Sequence, residues 1–170
     1  MPKFMLSETI ASSDVITVRL GTATKSTTAT ASVYKDADAG KFVKLVGASR
    51  YALCAAGDAI EGRISSVEVA SQDDYVIGGV IADADFFSVT LDGLQATPGT
   101  GVVAIGDYVL CGTVVAIQTA LTVPAKVCKA TDQAVAKAAP FGWRVVSIGA
   151  TGADGVSGAV GVVAVIQSVF

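Results

Sequence analysis

The chain carries one pattern twice, and that doubling constrains its fold more than any other feature. Gly40-Lys41-Phe42-Val43 returns as Gly106-Asp107-Tyr108-Val109, and Arg63-Ile64-Ser65-Ser66-Val67 returns as Arg144-Val145-Val146-Ser147-Ile148. Between them, Leu53-Cys54-Ala55-Ala56-Gly57-Asp58-Ala59-Ile60 matches Val127-Cys128-Lys129-Ala130-Thr131-Asp132-Gln133-Ala134-Val135, with one residue inserted before the last apolar position. Gly79-Val80-Ile81-Ala82 matches Gly161-Val162-Val163-Ala164 in the same order. The expected organisation is a Ser/Thr-rich N-terminal arm over residues 1–36, then a β domain over 37–170 made of two repeat-like units, about 37–92 and 102–170.

Local patterns make these units β-rich. Lys41-Phe42-Val43-Lys44-Leu45-Val46 alternates polar and apolar, as a strand with one wet face does. Further strands are expected at 63–69, 75–82 (broken at Gly78-Gly79) and 86–91, the last followed by a hairpin-type Asp92-Gly93 pair. In the second unit, strands are expected at 102–110, 113–118, 120–123, 126–129, 144–148 and 160–169. Thr97-Pro98-Gly99-Thr100-Gly101 reads as a loop, because Pro-Gly suits the centre of a type II turn. Residues 131–139 are the best helix candidate, with Thr131 as cap and Pro140 as stop. In the arm, Ser or Thr fills seven of the eleven positions from 22 to 32, and 8–10 and 15–20 could form short strands. Such a segment either adds to another sheet or remains a tail. Short strands at this spacing with Gly turns indicate an all-β fold, a compact sandwich or barrel with one short helix.

Composition narrows the function. Apolar residues make up 52% of the 170-residue chain and aromatics 6%, so Val, Ile, Ala and Leu must fill the core. The charged fraction of 16% lies below the roughly 25% usual for soluble domains. A surface so poor in charge either meets another protein or is a small neutral Ser/Thr/Gly/Ala surface. Net charge is −3 with 12 scattered Lys and Arg, which supplies no cluster for nucleic-acid phosphates. The longest apolar stretches run about ten residues, short of the roughly 18 that a membrane helix needs. The N-terminal apolar run is likewise too short for a signal peptide.

Catalytic chemistry is sparse. The chain has no histidine, which removes Ser-His-Asp and Cys-His catalysis and His-ligated zinc. Cys54, Cys111 and Cys128 show no Cys-x-x-Cys spacing and read as reduced core residues. Asp73-Asp74 and Asp83-Ala84-Asp85 lack the calcium-loop pattern and read as turn acids. The expectation is a non-enzyme without cofactor or metal. Candidate interface residues are Trp143, Arg144, Phe141, Arg63 and Arg19. Arg63 and Arg144 hold matching positions, where each either pairs with an acid such as Asp58 or Asp132 or lays its stem along the sheet. Trp143 is either a core plug or an interface anchor.

The repeated Gly-x-aromatic-Val strand, the Asp-containing turn and the strand leading to Gly-Val-[Ile/Val]-Ala resemble the Ala/Gly/Val/Thr-rich decoration, or cement, proteins of tailed-bacteriophage capsids, over about residues 36–170. The resemblance implies a β-rich homotrimer on the outside of the virion. There it would bind the major capsid protein, clamp neighbouring capsomers and reach toward the shell with its N-terminal arm. Alternatives are another virion component, such as a head-fibre base or tail protein, and a glycan- or small-ligand-binding β domain. The extra segment 133–141 and Trp143 make the second unit, with the arm, the place to look for the binding surface.

Overall fold

The computed structural model describes residues 15–21, 34, 36–48, 50–68, 76–82, 84–113, 125–139, 142–149 and 157–169. They form an all-β fold with one short α-helix, built as two barrels in tandem. The first contains β1 (Val15–Leu20), β2 (Phe42–Gly47), β3 (Arg50–Leu53), β4 (Gly62–Glu68) and β5 (Ile77–Ile81), closed in the order β1-β3-β2-β4-β5. Its one parallel pair is β1 with β3, and β5 returns antiparallel to β1 to close the ring.

The second sheet repeats this topology. It is built from β6 (Phe86–Leu94), β9 (Tyr108–Cys111), β10 (Lys126–Lys129), β11 (Gly142–Ile148) and β13 (Val163–Val169). The order is β10-β9-β11-β13-β6, and a parallel β10–β6 pairing closes it. Three short strands decorate it: β7 (Thr97–Pro98) folds back on β6, and β8 (Val103–Ala104) pairs with β12 (Ser157–Gly158). Helix α1 (Gln133–Ala138) lies between β10 and β11 in the chain.

The ladders fix which residues correspond. Val43 pairs with Leu53 and Gly62 as Val109 pairs with Lys129 and Trp143. Arg63 opposes Ile81 as Arg144 opposes Gln167. Each fourth strand bulges at the same place, between Ile64 and Ser66 and between Val145 and Ser147. Loop bonds repeat too: Gly40 N–H donates to Ile64 O at 2.7 Å and Gly106 N–H to Val145 O at 2.8 Å. Inward side chains therefore match, with Val18, Leu20, Val43, Ile64 and Val80 answered by Val89, Leu91, Val109, Val145 and Ile166. Small apolar residues alternating at these positions fill a narrow barrel, because inward and outward residues alternate along every strand.

Several expectations change. Residues 15–20 are not arm: β1 closes the first barrel. Residues 86–91 do not end the first unit: β6 opens the second barrel. Gly79 corresponds to Val165 rather than Gly161, and Cys54 to Ala130 rather than Cys128. Cys54 N–H bonds Phe42 O and Ala130 N–H bonds Tyr108 O, both at 3.0 Å, which confirms the second assignment. The strand expected over 102–110 is cut by a turn at Gly106, whose φ of +95° suits glycine. β6 runs through Asp92 and Gly93 to Leu94, so its hairpin turn falls three residues later, at Gln95-Ala96. β5 also runs unbroken through Gly78 and Gly79, and a Cβ on Gly78 would meet the backbone Ser66 O at 2.7 Å, a close approach that suits glycine. The Pro98-Gly99 turn forms as expected, with Gly99 at φ +82° and Thr100 N–H donating to Thr97 O at 3.1 Å. Asp132, not Thr131, caps α1, its Oδ1 accepting from Ala134 N–H and Val135 N–H at 3.0 Å. Strands expected at 8–10, 113–118 and 120–123 fall wholly or mostly outside the described residues.

Candidate functional site

Contact surfaces are what this architecture offers, and the best-defined one joins the two barrels. Phe42, at the start of β2, points away from its own barrel and is 2% exposed. It lies in one core cluster with Cys54 and Ile60 of the first barrel and Phe87, Trp143 and Ile166 of the second. Phe42 tilts against Phe87 at 5.7 Å, and Phe87 stacks on Trp143 at 4.8 Å. Trp143 Nε1–H donates to Ile60 O at 2.9 Å, so the buried indole is satisfied across the joint. Backbone bonds add to it: Gly57 N–H donates to Cys111 O at 2.8 Å and Cys111 N–H to Asp58 O at 2.9 Å.

Of the five residues singled out from sequence, two meet at this joint. Trp143 is 2% exposed and plugs the end of the second barrel; it is a core residue, not an interface anchor. Its position after the β11 start turns it inward beside Val109, and Phe42 then covers it. Arg63 places its guanidinium 4.9 Å from the Phe87 ring centre, a cation–π contact. Burial pushes its pKa down. The expected acid partners are engaged elsewhere, Asp58 with Lys44 at 2.6 Å and Asp132 with the α1 cap. Arg144 stands half-buried on the outer face of the second barrel, opposite Tyr108 and Gln167. Arg19 is exposed on β1, beside Arg50 and Ile77 and remote in sequence from the joint. Phe141 lies outside the described residues.

Sequence reasoning missed Phe42, Ile60 and Phe87 as joint residues. One signal was available, since adjacent Phe86 and Phe87 on a strand must face opposite ways. Phe87 faces the joint and Phe86 is 49% exposed. Other large apolar side chains on the described surface include Ile16, Leu45, Val102, Ile105, Val135 and Val163.

The polar interior is committed to structure. Asp92, fully buried, accepts from Thr113 N–H at 2.8 Å and pairs with Lys126 Nζ at 3.1 Å. Cys54, Cys111 and Cys128 are free and buried. Hydrogen bonding to Cys111 and burial raise the Cys54 pKa, and burial pushes Cys128 up to about 11. The Cys54 and Cys128 thiols are therefore protonated and unreactive near neutral pH. Among the described residues no group of three or more His, Cys, Asp or Glu side chains is placed to hold a metal ion. No described helix is long and apolar enough to cross a membrane. Comparison with protein-family models, curated proteins and solved structures finds no match to this chain.

Proposed function

We propose that this protein is a structural component of a tailed-phage virion: a homotrimeric decoration protein on the capsid exterior that binds the major capsid protein and clamps neighbouring capsomers. It is made in the host cytoplasm and acts without catalysis or cofactor. The observation that carries this reading is the contrast between interior and surface. Two copies of one barrel commit their buried polar groups to turns, caps and ion pairs, while Phe86, Val102, Val163 and other apolar side chains stay on the outside. Such a surface suits extended protein contact, and many copies on a shell gain avidity from modest individual contacts. The resemblance of the repeated Gly-x-aromatic-Val units to cement proteins points the same way.

Cosedimentation with heads of the phage that encodes this chain tests the proposal. Saturable binding to expanded heads, absent from unexpanded ones, is the expected result. Failure to pellet with heads in either state sinks the reading.

A further inference from the structure

The register of the two barrels shows that half of the internal joint recurs on the second barrel as a rung that no other barrel covers among the described residues. In the first barrel, one lateral rung runs Phe42–Arg63–Ile81–Val15 across β2, β4, β5 and β1. Its first three residues are those seated on the second barrel: Phe42 within the joint core, Arg63 over Phe87, and Ile81 packed against the same cluster. The same rung of the second barrel runs Tyr108–Arg144–Gln167–Phe86 across β9, β11, β13 and β6. Aromatic and arginine recur at matching positions, yet Phe86 here is 49% exposed. The segments between the third and fourth strands differ. In the first barrel this segment buries Ile60 in the joint; in the second it forms α1, which packs on β9 and β11, the strands that carry Tyr108 and Arg144, and leaves Val135 67% exposed.

The receiving end has a positional counterpart on the first barrel, built from different residues. Phe87, which opposes Ile166, corresponds to Ile16, which opposes Val80. Trp143 corresponds to Gly62. The first barrel thus has no indole plug at this end, and Ile16 is 43% exposed. We infer that the rung Tyr108–Arg144–Gln167–Phe86, with Val135, is a self-association surface that receives the Ile16 end of the first barrel of a second copy. The contact repeats between chains the joint that is made once within the chain. It is head-to-tail, because the two surfaces differ, and such contacts close into rings or extend into filaments. A three-membered ring satisfies the trimer of the proposed function. The inference deepens that part of the reading, and its test contains no capsid, so its failure and a failure of capsid binding are separate results.

The test is sedimentation velocity on the full chain over a concentration series. Wild type associates; V135D/R144E and I16D each weaken association by about tenfold or more, with thermal melting close to wild type. Val46→Asp, an exposed apolar site away from the rung, leaves association unchanged. Mixing V135D/R144E with I16D is decisive, since each retains one intact half: head-to-tail contact restores a one-to-one heterodimer. A monomeric wild type overturns the inference, as does a mixture that stays monomeric. It is also overturned if the variants associate as wild type does. If removing residues 2–14 is what releases association through Ile16, the chain's own N-terminus is the occupant and the inference fails.

Discussion

At the scale of single residues, Trp143 is where the two barrels depend on each other. Its ring stacks on Phe87 and its N–H satisfies Ile60 O of the other barrel. Trp143→Ala should cost about 3–5 kcal/mol, as large-to-small changes in packed cores do. Trp143→Phe keeps an aromatic ring but strands the Ile60 carbonyl, at about 1–3 kcal/mol. Denaturant midpoints of the two variants check both values and their order. The thiols make a separate prediction. The folded state holds the Cys128 proton more tightly than the unfolded chain, so this contribution is full below the ordinary value of 9.0 and is lost as pH rises to about 11. Stability measured by urea unfolding should fall across that window, and Cys128→Ala should flatten the fall.

Elements show how much of this was legible in the sequence. The words around β2 and β4 aligned correctly with those around β9 and β11, because Gly-x-aromatic-Val and Arg-x-x-Ser are distinctive. Leu53-Cys54 aligned two residues out of register and Gly79 four residues out. Both slips are even, and an even slip keeps every side chain on the same face of a strand, so alternation could not reveal it. The match between Ile16-Thr17-Val18-Arg19-Leu20 and Phe87-Ser88-Val89-Thr90-Leu91 was readable and would have moved both unit boundaries. What sequence could not supply was the joint, since Phe42 and Phe87 meet only through the closure of two separate barrels. The repeated turn at Gly40 and Gly106 allows a paired test. Both have φ near +90°, and a Cβ on either would meet nothing within 4 Å. Gly40→Ala and Gly106→Ala should each cost about 1–2 kcal/mol, from backbone strain alone, and equal losses in thermal unfolding would support the duplication.

At the scale of the molecule, the first barrel has its own core cluster, but the second barrel's cluster takes in Phe42, Cys54 and Ile60 of the first, and that shared joint should make the two unfold as a unit. Calorimetry should give a single transition whose calorimetric and van't Hoff enthalpies agree. Trp143→Ala should split that transition by loosening the joint. A joined pair of barrels that leaves apolar side chains such as Phe86, Val102 and Val163 on its surface is suited to bridging neighbouring subunits of a larger assembly. That bridging role is the central claim, and heating capsids with and without bound protein tests it most directly. Shells saturated with the protein should release their DNA at a higher temperature than bare shells, and an unchanged release temperature would contradict the account.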